Sequence, residues 1–181
     1  MTVLIVGGSK SGKSSLAQNL AVSLAGGGPL YYIATMLPQD GEDYARIARH
    51  IEDRAGMGFE TVEQGKDLPA CLTRTDRKGT FLLDSVTALL TNEFFPPEKN
   101  YAPDDTAGQR VGDNILSVSR QVRHLVIVAD DLFRDAARYD ETTESYRMAL
   151  GHILRRTAEQ ADTVVEMTMG SPVVHKGAWN L

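Results

Sequence analysis

Short apolar runs alternate with amphipathic stretches along this chain. Five runs of four to seven residues, mostly apolar or β-branched, predict strands over residues 3–6, 30–34, 80–83, 124–129 and 163–169. Between them, charged and apolar residues recur at helical spacing, which predicts helices over residues 14–24, 42–54, 86–95, 111–121 and 146–161. Strands that alternate with helices build a mostly parallel sheet with helices on both faces. The pattern therefore predicts a three-layer α/β fold.

Glycine and proline mark the breaks in this pattern. Residues 26–29, Gly-Gly-Gly-Pro, end the first predicted helix, and residues 96–106 contain three prolines and several acids, which predicts a loop. The chain of 181 residues is long enough to bury one substantial core and has no internal repeat. We expect a single domain over residues 1–181.

Residues 7–14 read Gly-Gly-Ser-Lys-Ser-Gly-Lys-Ser and directly follow the first predicted strand. They match G-x-x-x-x-G-K-[ST], a loop whose backbone N–H groups, with the N-terminus of the next helix, face phosphate oxygens. In such loops the lysine, here Lys13, reaches the β- and γ-phosphates, and the hydroxyl of Ser14 can ligate Mg²⁺. The sequence therefore predicts a nucleoside triphosphate site that consists of Gly7, Gly8, Ser9, Lys10, Ser11, Gly12, Lys13 and Ser14.

A loop of this kind usually works with a second acid that organises the metal. Asp84 ends the strand that begins at Thr80, and ligands collect at the carboxyl ends of strands in open α/β sheets. Asp84 is therefore predicted to hold Mg²⁺ directly or through water. Asp130 and Asp131, which follow the fourth strand, are the alternative pair.

Composition narrows the class of protein. A net charge of −5 disfavours a general nucleic-acid binder, and the single cysteine, Cys71, excludes an internal disulfide and a four-thiolate zinc site. No charged-then-apolar leader precedes the first strand, and no apolar run approaches the roughly 18 residues of a membrane span. These features predict a cytoplasmic protein without a membrane span.

Of the four histidines, His50 has the most suggestive surroundings. His124, His152 and His175 lie in a strand, a helix and the C-terminal segment, where structural or solvent roles are the simplest interpretation. His50 ends the sequence Ala-Arg-Ile-Ala-Arg-His, and cations on neighbouring positions favour a neutral, nucleophilic imidazole and can hold phosphates. The residues alone also allow an exposed helical histidine without a chemical role.

Taken together, these segments resemble the bifunctional adenosylcobinamide kinase/adenosylcobinamide-phosphate guanylyltransferase family of cobalamin biosynthesis. The resemblance covers nearly the whole chain. Besides the loop and the final helix, strand and Gly170, it rests on Tyr-Ile-Ala-Thr at residues 32–35, Ala-Arg-Ile-Ala-Arg-His at 45–50, and Leu-Leu-Asp-Ser-Val-Thr at 82–87 followed by Leu-Thr-Asn at 90–92. The loop alone is common to many families, but its combination with these three segments is fairly specific.

The resemblance implies an enzyme with a P-loop NTPase-like fold and two activities. ATP or GTP phosphorylates the aminopropanol hydroxyl of adenosylcobinamide, and GTP then donates GMP to that phosphate through a guanylyl-histidine, with Mg²⁺ as cofactor. His50 aligns with the histidine that is guanylylated. The implied nucleotide contacts, besides the loop, are Ile33, Ala34, Thr35, Ile51, Glu52, Asp53, Arg54, Glu63 and Asp84. A homo-oligomer, by resemblance a trimer, is also implied.

Three departures from the family pattern leave alternatives open. The usual double histidine is Arg49-His50 here, the family's N-E-V-G after the fourth strand is Asp-Asp-Leu-Phe at residues 130–133, and its late-helix R-x-x-N-Q is replaced at residues 152–156. The last two fall where substrate or nucleotide contacts are expected. A P-loop small-molecule kinase without transferase activity, or a nucleotide-dependent binding or regulatory protein, would also fit the loop.

Overall fold

A computed structural model describes residues 1–178 of this protein. The strands are β1 (Thr2–Gly7), β2 (Leu30–Ala34), β3 (Glu60–Glu63), β4 (Thr80–Asp84), β5 (His124–Asp130), β6 (Thr163–Thr168) and β7 (Ser171–Lys176). The α-helices are α1 (Lys13–Ala25), α2 (Gly41–Asp53), α3 (Val86–Phe94), α4 (Ala107–Gln121) and α5 (Glu141–Gln160). Two short 3₁₀ helices, Leu68–Thr73 and Pro97–Lys99, complete these elements.

The seven strands form one sheet in the order β3-β2-β4-β5-β1-β6-β7. Every neighbouring pair is parallel except β6 and β7. In this register Gly7 lies opposite Asp130, and Asp84 lies opposite Ala34 and Val128. The glycine-rich loop, Asp84 and Asp130 therefore lie at the same edge of the sheet, where parallel strands end.

Two buried clusters cover the two faces of the sheet. Val3 and Ile5 of β1 pack with Ala17, Leu20 and Ala21 of α1 on one face. Leu4, which points the other way because strand side chains alternate, joins the larger cluster formed with α3, α4 and α5. The three layers and the mostly parallel sheet confirm the predicted fold class.

Two strands were missed by the sequence analysis, and both lie at the edges of the sheet. In β3 only Val62 is buried, so this strand lacks an apolar run. In β7 all six residues are exposed, and Pro172 lies within it, a position that edge strands tolerate. Since edge strands need little apolar surface, an apolar run does not reveal them.

The helices α4 and α5 also begin earlier than predicted, at Ala107 and Glu141. The first turn of α5 is polar, and the Asp140 side chain caps it by accepting a hydrogen bond from the Thr143 N–H. Apolar periodicity starts only after such a turn, which explains the late prediction.

Helix α2 differs from the others because none of its residues is buried. Its apolar side chains Tyr44 and Ile51 are 63% and 52% exposed. Asp40 fixes its start by accepting hydrogen bonds from the N–H groups of Glu42 and Asp43. This helix contains His50 and borders the cavities described below.

The single cysteine lies inside the core. Cys71 is fully buried, and burial is the main reason that the pKa of its thiol is raised to about 11, with Arg74 acting in the opposite direction. We expect the folded protein at pH 8 to resist alkylation by iodoacetamide, because little thiolate forms and access is blocked. Mass spectrometry should find Cys71 modified in urea and unmodified without it. Fast labelling of the folded protein would contradict this burial.

No helix within residues 1–178 combines the length and apolar character that a membrane crossing requires.

Candidate active site

The glycine-rich loop joins β1 to α1 through two left-handed residues, Lys10 (φ 56°) and Gly12 (φ 90°). A Cβ at Gly7 would lie 2.7 Å from Ser11 Oγ and 2.8 Å from the Met167 carbonyl oxygen, so only glycine fits there. Among residues 1–178, no side chain caps the N-terminus of α1. Its first N–H groups are therefore available to phosphate oxygens.

A cavity of about 480 Å³, here called the loop cavity, extends from this loop to α2. Residues 9–15 form one wall, and Arg46, Arg49 and His50 face them from α2. Asp130 borders the same space. The cavity combines backbone donors with four cationic side chains, Lys10, Lys13, Arg46 and Arg49, as a triphosphate requires.

Lys13 is held inside the loop by an ion pair. Its Nζ lies 2.8 Å from Asp130 Oδ1 and 3.0 Å from the Gly8 carbonyl oxygen, to which it donates. Both side chains are largely buried, with 10% and 21% of their surface exposed. The Asp130 carboxylate thus pairs with the Lys13 ammonium group, and a bound phosphate would compete for that group.

A second cavity of about 360 Å³, here called the central cavity, lies over the ends of β2, β3 and β4. Asp84 and Glu63 contribute carboxylates to it, and Tyr44, Ile47 and His50 of α2 cover it. Its lining is partly apolar and partly acidic. This character suits the planar base of a nucleotide, whose N–H groups need acceptors.

The Tyr32 hydroxyl orients Asp84 by donating a hydrogen bond of 2.9 Å to Oδ2. Burial, and then the negative charge of Asp84, raise the pKa of this tyrosine well above its ordinary value, so it stays a donor. The guanidinium of Arg54 lies 4.1 Å from the centre of the Tyr32 ring. It also donates to the His50 carbonyl oxygen at 2.6 Å and to Thr61, which fastens the end of α2 to the sheet.

His50 lines both the loop cavity and the central cavity. Its Nδ1 atom is buried and has no hydrogen-bond partner within residues 1–178. Arg46 also lines both cavities, and its guanidinium makes no ion pair or hydrogen bond with those residues. A ligand that extends from one cavity to the other therefore passes His50 and Arg46.

The structure does not place every predicted nucleotide contact against these cavities. Ala34, Glu63, Arg54 and Asp84 line the central cavity, and Asp53 lines the loop cavity. The others lie elsewhere: Ile33 is a core residue, and Thr35 is buried and bonded to Ser85. Four further residues border neither cavity, namely Gly7, Gly8, Ile51 and Glu52.

Asp130 and Asp131, the alternative acids at the end of β5, point their carboxylates in different directions. That of Asp130 faces Lys13, whereas that of Asp131 forms an ion pair with Arg134, which in turn pairs with Glu166. Asp84 borders the central cavity and not the loop cavity. Of the three acids, Asp130 is the one whose carboxylate pairs with the phosphate-binding loop.

Segments 130–133 and 152–156, which depart from the family pattern, lie close to each other. The Phe133 ring lies 3.5 Å from where a Cβ at Gly151 would stand, so it covers α5 beside the second segment. The two segments, about 20 residues apart in the chain, are therefore neighbours in the fold.

Two features of the site were not predicted from the sequence: the hydrogen bond from Tyr32 to Asp84 and the ion pair of Lys13 with Asp130. Tyr32 lies in an apolar run that predicts only a buried strand. Its polar hydroxyl group, near the carboxyl end of that strand, was the one local sign of a role in the site. The ion pair joins residues that are distant in the chain, and no local pattern reports it.

The loop, the parallel sheet and the loop cavity together define a P-loop nucleotide-binding protein. Solved structures with this fold include flagellar accessory protein FlaH from Methanocaldococcus jannaschii, with a TM-score of 0.53 and 13% identity over 99% of this chain and 81% of that one. A structure of a protein from Pyrococcus horikoshii gives a TM-score of 0.53 at 12% identity, covering 99% of this chain and 87% of that one. At such identities the likeness concerns the fold alone.

The family follows from the sequence relatives. Residues 3–174 match the model of the cobinamide kinase / cobinamide phosphate guanyltransferase family, and the chain belongs to that family. It is 30% identical over 179 residues to the bifunctional adenosylcobalamin biosynthesis protein CobP of Pseudomonas aeruginosa, covering 98% of each chain. It is 28% identical to CobU of Salmonella typhimurium, covering 91% of this chain and 93% of that one. The resemblance stated from the motifs is confirmed, as is the class of bifunctional kinase and nucleotidyltransferase.

Proposed function

We propose that this protein phosphorylates adenosylcobinamide with a nucleoside triphosphate and then transfers GMP from GTP to the product through His50. The observation that supports this most directly is the position of His50 between the loop cavity and the central cavity. A nucleophile at that junction can reach the phosphates of a nucleotide whose base lies in one cavity and whose triphosphate lies in the other.

In the kinase reaction, the loop cavity holds the triphosphate. Lys13 leaves Asp130 and contacts the β- and γ-phosphates, while the N–H groups of the loop and α1 bind the remaining oxygens. The unpaired guanidinium of Arg46 offsets charge on the transferring group. The protein contributes positioning and electrostatic stabilisation, which dominate catalysis of phosphoryl transfer.

In the transferase reaction, an imidazole nitrogen of His50 attacks the α-phosphorus of GTP. The bond to pyrophosphate breaks, and a phosphoramidate to GMP forms. An oxygen of the acceptor phosphate then attacks the same phosphorus, the nitrogen–phosphorus bond breaks, and His50 is restored. Glu63 in the central cavity accepts hydrogen bonds from the guanine N–H groups.

Mg²⁺ belongs to this proposal as well. Residues 1–178 contain no cluster of three or more His, Cys, Asp or Glu side chains able to hold a metal. A sparse donor set of this kind fits Mg²⁺, which is usually held by few protein oxygens together with substrate phosphates and water. The Ser14 hydroxyl in the loop cavity and Asp84, directly or through water, would hold it. When bound, the ion neutralises charge on the phosphate oxygens.

Asp84→Asn is expected to weaken Mg²⁺-dependent turnover by about 10²-fold or more, because a neutral amide cannot offset the charge of the ion. Titration of both activities with Mg²⁺ measures this. Tyr32→Phe is the matched control, since it removes the donor to Asp84 and keeps the carboxylate. Wild-type behaviour of Asp84→Asn at limiting Mg²⁺ would remove Asp84 from the metal site.

The proposal extends to assembly and location. We infer a homotrimer from the family resemblance, and the exposed Tyr44 and Ile51 on α2, beside the site, fit coverage by another subunit. Light scattering measures that state. We place the enzyme in the cytoplasm, where its nucleotide substrates are available.

Incubation of the wild-type protein with α-labelled GTP and Mg²⁺ tests the proposed function. A covalent label should survive denaturation, resist alkali and be lost in acid, as a phosphoramidate requires. A protein that phosphorylates adenosylcobinamide and never takes up this label would be a kinase alone.

A further inference from the structure

A third cavity, of about 310 Å³, adjoins both the loop cavity and the central cavity and is here called the side cavity. Its walls include apolar side chains from the segment after β2 and from α3, and hydroxyl groups from α3. The residues that matter here are Met36, Leu37, Thr87, Ala88, Thr91 and Asp130. The proposed reactions place the nucleotide in the other two cavities and leave this one without an occupant.

Asp130 borders both the side cavity and the loop cavity, and Arg46 is the other side chain that does so. The backbone of Asp130 is fixed, because its N–H donates to Thr87 Oγ1 at 3.0 Å. Oδ1 faces Lys13, whereas Oδ2 accepts no hydrogen bond from any of residues 1–178. The Asp130 carboxylate, with one oxygen that has no donor among residues 1–178, thus borders both cavities.

We propose that the side cavity receives the hydroxyl-bearing arm of the acceptor and that Asp130 is the catalytic residue that binds this hydroxyl. The inference rests on the proposed kinase reaction and adds the binding site of the acceptor substrate. Once Lys13 contacts the triphosphate, Asp130 is no longer paired with a cation. It then accepts a hydrogen bond from the hydroxyl group of the acceptor. The hydroxyl oxygen bonds to the γ-phosphorus, the bond from that phosphorus to the nucleoside diphosphate breaks, and the proton passes to Asp130 and then to water.

The size of the side cavity limits what enters it. A volume of about 310 Å³ lies at the lower end for small-molecule sites. It accommodates a short amino-alcohol arm and not a corrin ring, so the ring stays outside. Met36, Leu37 and Ala88 contact the carbon atoms of such an arm, and Asp130 binds the alcohol at its end.

Asp130 stands at the first position of the departing segment, where the family pattern has asparagine. An asparagine can hold the hydroxyl in place but cannot take its proton. We therefore expect Asp130→Asn to lower the kinase kcat roughly 10- to 100-fold, a modest loss because phosphoryl transfer has a loose transition state.

The kinase assay uses adenosylcobinamide, ATP and Mg²⁺. Asp130→Asn should lower kcat, leave the Mg²⁺ dependence unchanged, and bind ATP as tightly as wild type or more tightly, since a negative charge beside the phosphates is gone. It should still take up the label from α-labelled GTP. Asp113→Asn, which removes an exposed acid paired with Arg156 on the far helices, is the matched control and should behave as wild type.

A second pair of variants tests the cavity itself. Thr91→Leu and Thr91→Val both lose the hydroxyl that contacts Tyr146 at 3.0 Å, but only leucine fills the cavity. Thr91→Leu should raise the KM for adenosylcobinamide at least about tenfold relative to Thr91→Val, with ATP binding unchanged in both.

The inference would be overturned by an unchanged kcat in Asp130→Asn, by a raised Mg²⁺ requirement in that variant, or by equal acceptor KM values in the two Thr91 variants. A kcat loss confined to Asp131→Asn would give the role to the neighbouring acid and also overturn it. Absence of kinase activity in the wild type would instead refute the proposed function. The two failures are therefore distinguishable.

Discussion

Lys13→Ala is expected to abolish both triphosphate-dependent reactions while the protein stays folded. The lysine is the buried cation of the phosphate-binding loop, and its charge-assisted contact strengthens as the phosphoryl group is transferred. We expect a loss of about 10³-fold or more in kcat/KM for each reaction. Steady-state assays of phosphorylation and of GMP transfer measure it.

The ion pair with Asp130 makes one control necessary. Lys13→Ala leaves a largely buried carboxylate without its cation, which by itself can disturb the loop. The double variant Lys13→Ala/Asp130→Asn removes that charge and should remain inactive. Lys66→Ala, which breaks an ion pair with Glu98 away from the loop, should keep full activity. Recovery in the double variant, or normal turnover in Lys13→Ala, would exclude the lysine from the mechanism.

His50→Asn is expected to eliminate covalent labelling by α-labelled GTP and GMP transfer, and to retain the kinase reaction. Phosphorylation by a triphosphate in the loop cavity requires no histidine nucleophile, whereas the guanylyl intermediate requires one. Asparagine keeps the helix and approximates the size of the imidazole. Denaturing gels report the label, and a coupled assay with adenosylcobinamide reports the kinase activity.

The exposed His175 on β7, which lines none of the three cavities, provides the matched control for this variant, and His175→Asn should be labelled like wild type. Persistent label in His50→Asn would place the nucleophile at another residue. Loss of kinase activity together with the label would mean that α2 needs His50 for its position, and the separation of the two reactions would then be wrong.

Most strands and helices could be predicted from the sequence, because each produces a local pattern of apolar and polar residues. The interior strands β1, β2, β4, β5 and β6 are buried and follow runs of apolar or β-branched residues, and four of the five helices cover at least part of one face with apolar residues. Edge strands β3 and β7 gave no such signal, because burial on one side or none leaves little apolar pattern.

The candidate site was predicted in parts. The loop and Asp84 lie at the ends of predicted strands, so a parallel sheet brings them to one edge whatever the order of the strands. Glu63 ends β3, which no apolar run predicts, and its contact with the nucleotide was implied only by the family resemblance. Ile33 and Thr35 were predicted from a motif that contains core residues as well as site residues. Their side chains alternate along β2 and the segment after it, and only the structure shows which of them face the cavities.

By itself, the sequence determined the class of fold, the phosphate-binding loop and the family. The first two depend on residues that are close together in the chain, and the family depends on the order of several such short segments. Only the tertiary structure decided that Lys13 faces Asp130, that Asp131 turns to Arg134, and that His50 lies between two cavities. Those relations depend on the strand order and on where α2 lies. Both are set by contacts between distant segments, which no local spacing specifies.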